Sequence, residues 1–286
     1  SRVLMIQGMY PIQKPSRSAF VPIRHLSYHV LQWGTPSPDK TPLVMVHGWM
    51  DVAASFQFVI DALQDDHWVI APDWRGFGLT DTPNTDNYFF PDYLADLDQL
   101  LDHYVGERQV NLLGHSMGGV VVAHFVAQHI RPVDGLVLSS PAFKPQLGRL
   151  DKALLFVMSR MAPQLCVDNG LDAHWVARDP QAVAQYISDP LVHRQISAAL
   201  AQWIIQTGQA CVDTAALVQT PTLLLYAGHD RIVCAQGSEA YAAASPTKDL
   251  TVHGYAEMYH EIFNDPAVAD VFTDLHHWLA RLPARA

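Results

Sequence analysis

The sequence predicts an α/β domain: a mostly parallel β-sheet with helices on both faces and a helical insertion late in the chain. Three observations predict it. Short apolar runs recur at 43–46, 68–71, 135–138 and 222–227 and at Val110, Leu112 and Leu113, the pattern of strands buried on both faces. Stretches with helical spacing of apolar residues lie between them, and parallel strands need such crossovers. Between Ser139-Ser140 and Thr222 lie about eighty residues, far more than a crossover requires.

Taken in order, 25–33 reads as an early, half-exposed strand, because Leu26, Tyr28 and Val30 alternate with Ser27 and His29 before Gly34 closes it. Leu43 to Val46 is a buried strand that ends in His47-Gly48-Trp49. A helix is expected around 56–63, then a strand at 68–71 whose loop is Asp73-Trp74-Arg75-Gly76-Phe77-Gly78, read as structural with Arg75 paired internally. Tyr93, Leu94, Leu97, Leu100, Leu101 and Tyr104 have the spacing of one helical face. Val110 to Leu113 then runs straight into Gly114-His115-Ser116-Met117-Gly118-Gly119 and a small-residue apolar helix to Ala127. Strands at 135–138, 222–227 and 250–252 complete the sheet.

A chain of 286 residues can bury a sizeable core, and no linker, charge block, low-complexity run or internal repeat divides it. The expected organisation is therefore a core of 1–140 and 220–286 with a helical cap at 141–219. Hydrophobic residues make up 49% and charged residues 16%, a packed globular composition. The formal charge of −10 argues against nucleic acid as a partner, which needs a basic patch. Cys166, Cys211 and Cys234 form no C-x-x-C or zinc spacing and suit a reducing compartment. Residues 1–20 mix Arg2, Lys14 and Arg17 with prolines and lack the apolar centre of a signal peptide. No stretch approaches a membrane span in length, so a cytoplasmic location is expected. Oligomeric state is not legible.

The serine turn is the chemical centre. A serine between a strand and a helix sits in strained backbone, and glycines around it avoid collisions a Cβ would make. Its hydroxyl is exposed, and the Met117 amide with the positive end of the helix faces any anion beside it. G-x-S-x-G alone also fits an ordinary glycine-punctuated turn, so the other strand ends decide. Sites in parallel sheets lie at the carboxyl ends of strands, where Gly48-Trp49, Ser116-Met117, Gly228-His229-Asp230 and Tyr259-His260 fall. The order Ser116, Asp230, His260 is that of nucleophile, acid and base in the α/β-hydrolase fold. Asp230 competes with a plain helix-capping role. His260 competes with His253, which falls in or at the end of a strand, whereas His260 lies in the reachable loop. His115 is expected to pack beneath the turn. Gly48 lets the backbone approach a substrate, so the Trp49 amide can join that of Met117 as a second oxyanion donor; the tripeptide also fits a plain strand-end turn.

Together, H-G-W at 47, D-W-R-G-F-G at 73, G-H-S-M-G-G at 114, G-H-D at 228 and Y-H-E-I-F-N-D-P at 259 resemble the α/β-hydrolase superfamily over nearly the whole chain. Within it, L-V-L-S-S-P-A at 136, A-R-D-P-Q-A-V-A-Q-Y-I-S-D-P-L-V-H at 177–193 and M-Y-H-E-I-F-N-D-P at 258 are similar to the monoacylglycerol lipase and lysophospholipase group. The segment Trp49-Met50-Asp51-Val52 departs from that group, whose lipases carry a small residue and an acidic, histidine-containing loop there. The resemblance implies ester hydrolysis with Ser116 as nucleophile, His260 as base, Asp230 as orienting acid and the Trp49 and Met117 amides as oxyanion donors.

The first cap helix, 150–161, carries a broad apolar stripe of Leu150, Leu154, Val157, Met158 and Met161 that would suit an acyl tunnel. Candidate substrate-binding residues are Phe143, Leu154, Met158, Trp175 and Trp203, and the expected ligand is a small ester with an apolar acyl chain. Neither a dinucleotide fingerprint nor an H-E-x-x-H pattern is present, so no cofactor and no metal are expected. A short-chain esterase, a carbon–carbon bond hydrolase and an acyltransferase would use the same triad. A ligand-binding sensor on the same fold is the non-enzymatic reading.

Overall fold

The computed structural model describes residues 11–64, 67–82, 88–168, 170–192, 194–245 and 249–282. The reading of residues 1–20 as free of a signal peptide concerns, in part, residues 1–10, which lie outside the described residues. So does His193, the last position of the 177–193 stretch.

An eight-stranded sheet organises the molecule. Its strands are β1 (Arg17–Ile23), β2 (Leu26–Trp33), β3 (Leu43–Val46), β4 (Val69–Pro72), β5 (Asn111–His115), β6 (Gly135–Ser139), β9 (Thr222–Ala227) and β10 (Leu250–Tyr255). A separate antiparallel pair, β7 (Cys166–Asp168) and β8 (Gln195–Ser197), lies in the 141–219 segment. The sheet order is β1-β2-β4-β3-β5-β6-β9-β10. The first two strands are antiparallel and β4 onward is parallel.

Continuous apolar strands are required here because both faces are covered. Val44, Val46, Leu112 and Leu138 point into one cluster, with helices α2 (Phe90–Tyr104), α3 (Met117–Ala127) and α7 (Ala235–Ala244). The alternating Leu43, Met45, Leu113 and Val137 point into the other, with α1 (Gln57–Ala62) and α8 (Ala269–Arg281). No helix among the described residues is long and apolar enough to cross a membrane.

One expectation changes and one strand is added. β2 is buried rather than half-exposed, because β1 and β4 flank it and its polar His29 is buried by bonding to the Asp73 carboxylate at 2.7 Å. β1 carries no strong strand signal: R-S-A-F-V-P-I has a proline and mostly exposed residues, as befits a sheet edge. The loop after β4 is structural as expected. Arg75 is fully buried and reaches both oxygens of Asp96 on α2, at 2.6 and 2.8 Å.

Between β6 and β9 come α4 (Arg149–Met161), α5 (Pro180–Ser188) and α6 (Ala198–Asp213). Leu200, Ile204 and Cys211 of α6 pack into the same cluster as α3, and the Cys211 thiol lies 3.7 Å from the Val120 carbonyl. α4 is unlike it: Leu150 and Met161 remain 86% and 81% exposed.

Candidate active site

Ser116 joins β5 to α3 with φ +53°, a left-handed backbone that a serine adopts only under constraint. The constraint is close packing on both sides. A Cβ on Gly114 would strike the Gly118 carbonyl, and one on Gly118 would meet the carbonyls of Val46 and His47 at the end of β3. The Ser116 amide donates to the Ser139 carbonyl of β6 at 2.9 Å, which ties the turn to the next strand.

The three loops chosen from chain order converge. His260 Nε2 lies 2.9 Å from Ser116 Oγ, and His260 Nδ1 lies 2.7 Å from Asp230 Oδ2. The imidazole and the carboxylate are both buried. The other oxygen of Asp230 accepts the amides of Ile232 and Val233 at 2.8 and 2.9 Å. One carboxylate thus both caps the following turn and holds the histidine. His253 goes elsewhere: it sits in β10 with Nδ1 3.3 Å from Asp274 of α8.

Gly48 sits against the serine, where an added Cβ would come 2.8 Å from Ser116 Cβ. The next residue, Trp49, lines the same cavity as Ser116 and Met117. Neither the Trp49 nor the Met117 amide donates to another backbone carbonyl among the described turns and loops. Met117 opens α3, where the first amides have no intrahelical acceptor. The loop is held from behind by His47, whose Nδ1 lies 2.6 Å from the Gly48 carbonyl while Nε2 accepts the Trp74 amide at 2.9 Å.

A cavity of about 570 Å³ opens above Ser116. Its walls are largely apolar, with Leu154, Leu155 and Met158 of α4, Trp175, and Ile204 and Ile205 of α6 among them. Of the five expected substrate-binding residues, Leu154, Met158 and Trp175 line this cavity, and two do not. Phe143 is buried in the core, stacked on Tyr241 with centroids 4.7 Å apart. Trp203 lies on α6 but turns toward Phe89, edge-to-face at 4.9 Å, so its helix supplies the wall through other residues.

A second, much smaller pocket of about 30 Å³ adjoins the serine, with Asp51, Tyr186, His115, His260 and Glu261 in its wall. Asp51, Tyr186 and Glu261 were not singled out in the sequence, where they lie far from one another. His115 does lie beneath the turn, bonded through Nδ1 to Ser139 Oγ and through Nε2 to Glu261 Oε1, both at 3.0 Å. Burial alone would lower its pKa, but the Glu261 carboxylate, aided by Asp51 and Asp230, raises it above the usual histidine value. The one available clue was that Glu261 directly follows His260.

Chemically, the arrangement pairs a hydroxyl with a buried imidazole oriented by a carboxylate, beside two amides that have no backbone acceptor among the described turns and loops, and an apolar cavity. Residues 37–267 match the family described as serine aminopeptidase, S33. The monoacylglycerol lipase of Mycolicibacterium smegmatis is 31% identical over 255 residues, spanning 85% of this chain and 90% of that protein. Phospholipase YtpA of Bacillus subtilis is 29% identical over 237 residues, 80% of this chain and 91% of that protein. The crystal structure of a monoacylglycerol lipase from Paleococcus ferrophilus superposes with a TM-score of 0.82 at 30% identity, covering 90% of this chain and 99% of that one.

Proposed function

The chain belongs to the serine aminopeptidase S33 family of α/β-hydrolases, and from that membership we propose that it cleaves monoacylglycerols or similar lipid esters through a Ser116-His260-Asp230 triad. It is a serine ester hydrolase of the monoacylglycerol lipase group. The observation that carries the finer reading is the hydrogen-bonded relay, 2.9 and 2.7 Å long, opening into an apolar cavity of about 570 Å³.

In this reading the acyl chain lies in the cavity under α4 and the ester carbon meets Ser116 Oγ. His260 takes the serine proton as the oxygen–carbon bond forms, and Asp230 holds the imidazole in the tautomer with its proton on Nδ1. The carbonyl oxygen, now an oxyanion, is received by the Trp49 and Met117 amides; losing one such donor costs on the order of 3 kcal/mol of barrier. The tetrahedral intermediate collapses by breaking the bond to the alcohol oxygen, which leaves with the proton held by His260. Water then adds to the acyl-enzyme with the same base, releasing the fatty acid and the free serine.

The 141–219 segment serves as the cap, with α6 seated on α3 and α4 forming the adaptable wall. The small polar pocket takes the alcohol side, where it has room for about one hydroxyl-sized group. The test combines fluorophosphonate labelling with turnover of 1-monoacylglycerols and p-nitrophenyl esters across acyl lengths. Labelling at Ser116 with activity rising with chain length on glycerol esters is the expected result. Cleavage of short activated esters alone would make the protein a general esterase, and saturable ligand binding without labelling would make it a sensor.

A further inference from the structure

A second serine, histidine and aspartate line up at the β1 edge of the sheet. Ser18 of β1 and His29 of β2 share one face of the antiparallel pair, since Ser18 lies opposite Leu31 and His29 opposite Phe20. His29 Nε2 lies 2.8 Å from Ser18 Oγ, and His29 Nδ1 lies 2.7 Å from Asp73 Oδ2. The active-site relay measures 2.9 and 2.7 Å through the same two ring nitrogens of His260.

The aspartate sets the direction of these bonds. Asp73 Oδ1 accepts the Ala53 amide at 2.8 Å, and Oδ2 accepts that of Leu79 at 3.0 Å. Burial would raise its pKa, but the bond to His29, nearby His47 and the Leu79 amide hold it below the usual carboxylate value. An ionised carboxylate only accepts, so Asp73 receives the Nδ1–H of His29. Nε2 of the neutral imidazole is then an acceptor, and the Ser18 hydroxyl donates to it. The imidazole and the carboxylate are buried, whereas Ser18 is exposed on the edge strand.

We propose that Ser18 is a second nucleophile, separate from the active site, that takes acyl groups from esters with good leaving groups. His29 Nε2 accepts the hydroxyl proton as the Ser18 oxygen bonds to the acyl carbon. The bond to the leaving oxygen then breaks, that oxygen departs with the proton, and the product is an ester of Ser18. Ser18 lies within a strand, so no helix opens beside it as α3 does at Met117 beside Ser116. Lacking oxyanion donors of that kind, the reaction is confined to activated esters such as aryl esters.

The experiment treats the whole chain carrying Ser116→Ala with p-nitrophenyl acetate and locates acetyl groups by peptide mass spectrometry. The reference is Ser188, an exposed serine whose hydroxyl donates to the Gln185 carbonyl at 3.2 Å. Ser18 is expected to acetylate at least about tenfold faster than Ser188, because a positioned general base contributes about 10²-fold or more. Adding His29→Gln should bring Ser18 down to the Ser188 rate. Equal rates at the two serines overturn the inference, as does a folded His29→Gln protein that acetylates Ser18 undiminished. His29 is buried and its loss can cost the fold, so Ser18→Cys supplies a second measurement at an exposed position. Its thiol should react with iodoacetamide at least about tenfold faster than the exposed Cys166 of the same molecule, since a histidine partner favours the thiolate. Alkylation at position 18 no faster than at Cys166 overturns the inference equally.

Discussion

Two parts of the 141–219 segment, 173–189 and α4, solve opposite problems. From 173 to 189 the chain is packed beside the His260 loop: Ala173, Val176, Val183 and Tyr186 bury themselves around Met50. Arg178 clasps both oxygens of the buried Asp265 at 2.8 and 2.6 Å, and the Glu261 amide donates to the Val176 carbonyl at 2.9 Å. α4, by contrast, turns apolar side chains to solvent and makes no ion pair into the core among the described residues, yet Leu154 and Met158 on it line the cavity over Ser116. Local stability follows buried contacts. The anchored part therefore holds the His260 loop in register, while the loosely held part can adapt to chains of different length.

The largest effect should fall on the floor shared by both parts. Ser116→Ala is expected to lower kcat by about 10⁴-fold or more with unfolding unchanged, read from steady-state turnover beside a thermal melt. Residual turnover near the wild-type rate would remove the serine from the reaction.

The comparison itself is tested next by Arg178→Ala, which strands the Asp265 carboxylate in the core. A loss of about 2 kcal/mol in urea unfolding is expected, as for other bonds to buried charges. A cost below a few tenths would mean that the anchored part is not anchored. On α4, Leu150→Ser and Met161→Ser should leave stability within about 0.5 kcal/mol, since both side chains already face solvent.

Leu154→Ser sharpens the functional side of the contrast. It should reduce kcat/KM on long-chain esters by about fivefold and on short ones little, because the lost apolar wall matters only to carbons that reach it. Equal losses at all lengths would place the acyl chain elsewhere.

The smallest expected effect concerns the pair beneath the turn. The folded-state pKa of His115 is raised, so its ion pair with Glu261 contributes stability that is complete below the usual value of 6.5 and is lost as pH rises through the higher folded value. The stability gap between wild type and Glu261→Gln, followed by urea unfolding, should accordingly narrow from pH 6 toward pH 9. A gap that widens over that range would reverse the assignment of charge to His115.

Much of the fold was legible because its signals are local. Four-residue apolar runs announce doubly covered strands, and Gly114 and Gly118 announce a turn where a Cβ has no room. β1 escaped because an edge strand need not be apolar, and the exposure of β2 was misjudged because its neighbour β1 was not seen. The apolar stripe of 150–161 marked a helix but not which residues meet the ligand. Phe143 and Trp203 looked equally suitable, and packing turned one into the core and the other onto Phe89.

By itself, then, the sequence determined the alternation of strands and helices, the strained serine turn and the identity of the three residues in the relay. Each is written in a short window by periodicity, glycine placement or chain order. Only the tertiary structure decided what surrounds them: Glu261 against His115, 146 positions apart, Arg178 against Asp265, 87 apart, and Trp49 between two pockets. Such contacts depend on how distant surfaces pack, and no local pattern encodes the meeting of two side chains that only the folded core brings together.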